Sequence, residues 1–123
     1  MRKHNFKNLL IWQKGMDLVD LVYDYLENLP KSERFNLIDQ MQRCVVSIPS
    51  NIAEGSGKRT NKEYAHYLGI SLASSYELET QALICERRKY GNLDLLKIIL
   101  ERLTEEQRMI YAYQQKIEKE INR

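Results

Sequence analysis

Turn-forming and reactive residues are scarce in this chain, with two prolines, five glycines, two cysteines and two histidines among 123 residues. A strand-rich fold needs turn residues every ten positions or so, and their scarcity points to long helices instead. No stretch approaches the ~20 apolar residues that cross a bilayer. The basic start, Met1 to Lys7, is followed only by the short apolar run Leu9-Leu10-Ile11-Trp12, with no small-residue cleavage site. It does not read as an export signal, so the expected location is the cytoplasm. In that reducing setting Cys44 and Cys85 are expected to be free thiols.

What is present is ordinary globular material, 43% apolar and 29% charged with a net charge of +2. One domain over residues 1–123 can bury a sizeable core without a staple. The periodicity predicts an all-α, antiparallel up-down-up-down four-helix bundle, with helices at about 8–29, 33–56, 61–90 and 92–121. In the first, Trp12, Met16, Val19, Tyr23 and Leu26 step by four and three along one face, and Leu18, Leu21, Val22 and Tyr25 widen it. Pro30 ends that helix and Ser32 is available to cap the next. The second places Ile38, Met41, Val45, Ile48 and Ile52 on a seam that continues past Pro49, predicting a kink without a break, and it stops at Gly55 and Gly57.

Thr60-Asn61-Lys62-Glu63 has the form of a capping box, in which the threonine hydroxyl accepts from the Glu63 amide and the Glu63 carboxylate reaches back to the Thr60 amide. Tyr64, Leu68, Ser71, Leu72, Ser75, Leu78, Ala82 and Cys85 follow on one face. Gly91 suits a left-handed turn that closes the helix. The last helix carries Leu93, Leu96, Leu100, Leu103, Gln107, Ile110, Tyr113 or Gln114, Ile117 and Ile121.

No catalytic constellation survives inspection, and no cofactor or small-molecule substrate is implied. Glu63-Tyr64-Ala65-His66 has the spacing of half a di-metal carboxylate site, which needs the motif twice. The other histidine, His4, has no glutamate at that spacing, so Glu63 reads as a cap and His66 as a surface residue. Gly55-Ser56-Gly57-Lys58-Arg59-Thr60 follows a helix where a phosphate loop follows a strand, and its spacing fails. Antiparallel pairing sets Cys44 opposite residues near 73, leaving Cys85 on the order of 18 Å away along the axis.

Two polar features remain. Gln40, Arg43, Ser47, Ser50 or Asn51, and Glu54 form a stripe on the second helix, and Ser74, Glu77 and Gln81 form one on the third. The stripe is either a solvated face or a registering contact in which Arg43 and Glu77 pair between helices or between subunits. The bundle also gathers Arg2, Lys3, Lys7, Lys58, Arg59, Lys62, Lys116, Lys119 and Arg123 at one end against Glu63, Glu118 and Glu120. Such a pole either neutralises nucleic-acid phosphates or serves solubility.

The block Gln40-Met41-Gln42-Arg43-Cys44-Val45-Val46-Ser47-Ile48-Pro49-Ser50-Asn51-Ile52-Ala53-Glu54-Gly55, with Ser71-Leu72-Ala73-Ser74-Ser75-Tyr76-Glu77-Leu78-Glu79-Thr80-Gln81 and Leu9-Leu10-Ile11-Trp12-Gln13-Lys14, resembles a known family. It is similar to the bacterial four-helix bundle proteins encoded within intervening sequences of 23S rRNA genes, whose relatives include the accessory proteins of diversity-generating retroelements. The chain departs from the pattern with Gly15 and Cys44, where alanine is usual. The resemblance implies a homopentamer without enzymatic activity.

The expected function is therefore a non-enzymatic oligomeric module that binds RNA or a ribonucleoprotein through Lys58, Arg59, Lys62, Arg2, Lys3 and Lys7. Arg43, Ser47, Asn51, Glu54 and Glu77 are assigned to assembly or a shared surface. The alternative is a structural or protein-protein scaffold with no nucleic-acid role.

Overall fold

The computed structural model describes residues 5–121, so Arg2, Lys3 and Arg123 of the expected basic pole lie outside the described residues. Among those residues the chain forms four α-helices, α1 Leu10–Leu26, α2 Asp39–Ser56, α3 Asn61–Arg88 and α4 Leu93–Ile121, and no strand. Each packs on its neighbours in the chain and α1 closes on α4, giving the antiparallel up-down-up-down four-helix bundle. None of these helices is long and apolar enough to cross a membrane.

The third helix follows its sequence signals closely. Thr60 is extended and its Oγ1 accepts from the Glu63 amide at 3.1 Å. The return half of the box differs from expectation, because the Glu63 carboxylate accepts from the Thr60 hydroxyl, at 3.0 Å, and not from its amide. All eight residues of the expected α3 face, from Tyr64 to Cys85, are buried. The helix ends at Lys89, which takes the left-handed conformation (φ 57°) while the Tyr90 amide donates to the Cys85 carbonyl. Gly91 is left-handed too (φ 71°), and a Cβ there would meet the Tyr25 ring at 3.0 Å.

The first helix corrects the sequence reading. Its core face is Ile11, Gly15, Leu18, Val22, Tyr25 and Leu26. Of the expected seam only Leu26 is buried; Met16 and Tyr23 are 41% and 43% exposed, and Trp12 and Val19 are half-buried. Both rows are apolar at helical spacing, so periodicity alone does not decide which one the bundle takes. The Tyr25 hydroxyl donates to the Tyr90 carbonyl at 2.6 Å and ties the end of α1 to the α3–α4 corner.

The second helix begins later than expected. Lys31–Glu33 forms a 3-10 turn and Arg34–Ile38 a π-helical turn before α2 proper, and Ser32 caps nothing. Ile38 is half-buried there, whereas Met41, Val45, Ile48 and Ile52 form the buried seam. The helix runs unbroken through Pro49. Gly55, expected as part of the stop, lies inside α2 and is buried.

In α4 the buried row is Leu96, Ile99, Leu103, Glu106, Ile110 and Ile117. Leu93 and Ile121 are exposed, and Gln107 is half-buried between α4 and α3. There it donates to Glu79 at 2.9 Å and to the Ser75 carbonyl at 3.5 Å. Each fully buried Leu or Ile contributes about 1.5–3 kcal/mol, so the core formed by these rows dominates the fold.

The two glycines that end the second helix in sequence have different work. A Cβ on Gly55 would meet Tyr67 Cβ at 2.7 Å and Tyr64 Cδ1 at 3.1 Å, whereas on Gly57 the nearest atom is the Glu54 carbonyl at 3.6 Å. Gly55→Ala is expected to destabilise the fold by about 1–3 kcal/mol through overpacking. Gly57→Ala should change stability by less than about 1 kcal/mol. Urea unfolding of both variants checks the contrast, and equal effects would contradict it.

Candidate interaction surfaces

The polar stripe on α2 splits into two rows. Ser47 and Asn51 turn toward α3: the Ser47 and Ser74 hydroxyls are 2.8 Å apart, and Asn51 donates to the Ser47 hydroxyl at 2.8 Å and its carbonyl at 2.9 Å. One turn away, the Cys44 thiol donates to Glu77 at 3.1 Å, and Gln81 reaches Gln40 and the same Glu77 oxygen at 3.3 and 3.4 Å. Beneath them the Ser71 hydroxyl donates to the Ile48 carbonyl at 2.8 Å. These residues therefore join α2 to α3 within one chain.

Arg43 and Glu54 face outward instead. Arg43 pairs with Asp39, at 3.7 Å, on its own helix, and Glu77 is engaged by Cys44 and Gln81. The expected Arg43–Glu77 pair is thus not made within the chain. The reason is angular: Cys44, one residue along, occupies the position on α2 that faces Glu77.

The outward row of α1 lies beside α2. Trp12, Met16 and Val19 with Val46, Pro49 and Ala53 line one shallow depression, and Tyr23 with Arg43, Val46 and Ser50 lines the next. Asp17, Asp20, Asp24 and Glu27 are exposed along α1 and fall beside this ridge at helical spacing. Across the bundle, α3 shows a second outward row in steps of seven: Gly69, Tyr76 and Leu83, with Lys62 before and Arg87 after. Tyr76 and Leu83 are 50% and 42% exposed, and Tyr111 of α4 53%. Sequence reasoning missed this row, although the step of seven was there to be read.

At the end of the bundle where α1 begins and α4 finishes, Asn61 of α3 donates to Glu120 of α4 at 3.3 Å. The α2–α3 turn brings Lys58, Arg59 and Lys62 there, alongside Lys116 and Lys119 of α4 and Lys7 before α1. Lys58 is half-buried with its ammonium 5.0 Å from the Tyr67 ring centre; Lys7, Arg59 and Lys62 are exposed. Glu54 joins Glu63, Glu118 and Glu120 at this pole. Lys62 and Glu118 also border a groove of about 600 Å³ between α3 and α4, lined by His66, Gly69, Ala73 and Gln114. His66 is exposed against the edge of Tyr67 and Glu63 is occupied by its cap, so the Glu-x-x-His spacing builds no ligand set.

Besides Tyr25 and Tyr64, the core holds the ionisable groups of Cys44, Cys85 and Glu106. Both cysteines are free; Cys85 lies 3.8 Å from the Met41 sulfur, and burial raises its thiol. Burial, then the neighbouring Glu77, pushes the Cys44 thiol up to about 12. Burial likewise pushes the Glu106 carboxyl up to about 8, and neither of its oxygens has a hydrogen-bond partner among the described residues. Because the thiolate is the nucleophile, Cys44 is expected to react with iodoacetamide at pH 8 roughly a thousandfold more slowly in the native protein than in urea. Mass spectrometry of the alkylated peptides reads this, and comparable rates would contradict it.

Comparison with known proteins follows the same outline. None of the curated proteins compared with the chain matches it. A solved structure from Bacteroides thetaiotaomicron, described as a protein with unknown function from the S23 ribosomal protein family, superposes with a TM-score of 0.78 at 19% identity, covering 85% of this chain and 97% of that one. That likeness is one of fold. The model of the 23S rRNA-intervening sequence proteins matches residues 7–112, which takes in α1, α2, α3 and most of α4. With that much of the bundle matched, the chain belongs to the 23S rRNA-intervening sequence protein family.

Proposed function

We propose that the protein is a non-enzymatic, cytoplasmic, self-assembling module acting as one domain, whose subunits join through the outward α1–α2 face and whose basic pole meets RNA. The observation that carries this reading is the second apolar row of α1. Trp12, Met16, Val19 and Tyr23 repeat in steps of four and three, as knobs for another helix do, yet the chain's own bundle leaves Met16 and Tyr23 exposed and covers Trp12 and Val19 only in part.

A second copy is the occupant that the two opposite apolar surfaces favour. The α1 ridge is flanked by Asp17, Asp20, Asp24 and Glu27, and the Tyr76–Leu83 row on the far side of the bundle carries Lys62 and Arg87 toward its two ends, with Glu79 and Glu86 between them. An apolar ridge on one side of the bundle meeting an apolar row on the other side of the next copy makes a head-to-tail contact, which closes into a ring when the rotation allows. Five members is the number implied by the family resemblance. Arg43, paired with Asp39 on its own helix, and Glu54 stand exposed on the rim of the ridge, within reach of a neighbouring subunit. At the pole, Lys7, Lys58, Arg59, Lys62, Lys116 and Lys119 repeated around a ring supply phosphate contacts that no single subunit provides.

Met16→Asp with Val46→Asp should leave the helical circular-dichroism signal intact and convert the oligomer to monomer in light scattering; a wild type already monomeric at micromolar concentration refutes the assembly. Binding to structured RNA is expected to weaken steeply with salt, and Lys58→Ala with Arg59→Ala should flatten the log–log slope by about 1–2. Absence of any complex at low salt removes the RNA role and leaves a scaffold.

A further inference from the structure

We propose that Glu106 is a proton-operated latch on α1: as the neutral acid it lets α1 seat against α2 and α4, and as the carboxylate it loosens that seat. Glu106 is fully buried, and both its oxygens lack a hydrogen-bond partner among the described residues. It projects from α4 toward the one glycine of α1. A Cβ built on Gly15 would lie 3.1 Å from Glu106 Oε2, 3.4 Å from Pro49 Cβ and 3.5 Å from Ile48 Cγ2. The carboxyl therefore sits where three helices converge, in a space that a glycine keeps open.

An ionised carboxylate in that place has neither water nor a donor to replace it, which is among the costliest states a side chain can hold. Its charged surroundings offset little of that cost, because Lys14 favours the carboxylate while Glu105 and Asp17 oppose it. From α1 it faces Lys14 and Asp17, and from its own helix Glu105. Lys14, the single cation, is drawn 2.7 Å from Glu105. From α2, Ile48 and Pro49 lie against the same Gly15 position that Glu106 reaches. On α3, Glu79 and the Ser75 carbonyl are engaged by Gln107, the next residue of α4. The structure thus holds the acid neutral, in agreement with the upward displacement of its ionisation to about 8 from an ordinary 4.5.

The sign of the effect follows. The folded chain keeps a proton that the unfolded chain releases above about 4.5, so the contribution of this group is full below that value, is lost progressively as pH rises, and stops changing above about 8. The inference does not depend on assembly, because α1 seats on α2 and α4 within each chain.

The test is urea unfolding of the full chain at one protein concentration from pH 5 to 9, for the wild type, Glu106→Gln and Glu106→Leu. Relative to either variant, the folding constant of the wild type is expected to fall about tenfold per pH unit up to about pH 8 and then to run parallel. Leucine serves if the glutamine protein fails to fold, since it neither ionises nor asks for a donor. Amide exchange, corrected for intrinsic rates, should show the protection of α1 in the wild type, relative to the variant, falling steadily from pH 5 to pH 8 and then levelling. Parallel stability profiles throughout, or protection lost evenly across all four helices, would overturn the latch.

Discussion

The close approach of α2 to α3 is the constraint on which the remaining packing depends. It exists because the facing residues are small: Gly55 admits the Tyr64 and Tyr67 side chains, and Ser71 sits near enough to bond the Ile48 carbonyl directly. Ser47 with Ser74 and Cys44 with Glu77 extend the same seam toward the other end. Hydrogen bonds of this kind contribute about a kilocalorie each at most, so their larger effect is on register. A slide of one residue would leave buried donors and acceptors without partners. With that register fixed, Ile48 is presented to Gly15 of α1, and Tyr64 and Ser75 to Tyr113 and Gln107 of α4.

How much of this was legible in the sequence depends on the helix. In α3 one face is apolar or small and the other polar, so the spacing from Tyr64 to Cys85 identified the core row without ambiguity. In α1 two apolar rows compete, one through Leu18 and Val22 and the other through Met16 and Tyr23. Periodicity measures the angle of a row, not what lies opposite it. The α2 start was misplaced because a π-helical turn at Arg34–Ile38 keeps a nearly helical pattern while shifting its phase. The polar stripe was found, but its division into an inward and an outward row follows from the orientation of α2, which only the packed bundle supplies.

Glu106 was missed for a different reason. It stands three residues after Leu103 and four before Ile110, the spacing of a core position. A heptad-like step of four from Leu103 leads to Gln107 instead, and Gln107 proves to be the half-buried contact to α3. The position was readable from the period; the willingness of the fold to bury an acid there was not. That willingness comes from Gly15 on α1 and Pro49 on α2, two residues whose shape leaves room for a carboxyl.

The helix α1 thus differs from its three companions on both sides. Inward, its row is interrupted by a glycine facing a buried acid, where a leucine on each helix would have given a continuous apolar contact. Outward, it carries Met16 beside Val46, with Trp12 and Val19 half-buried next to them, a row that a lone bundle leaves partly open to water. Burying apolar surface stabilises by about 25 cal/mol per Å², so a partner that covers the outer row strengthens the docking of the very helix whose inner contact is weakest. On this reading assembly and the internal seating of α1 are coupled through one rigid element: the ring holds from outside the helix that the glutamic acid, when ionised, would release from within.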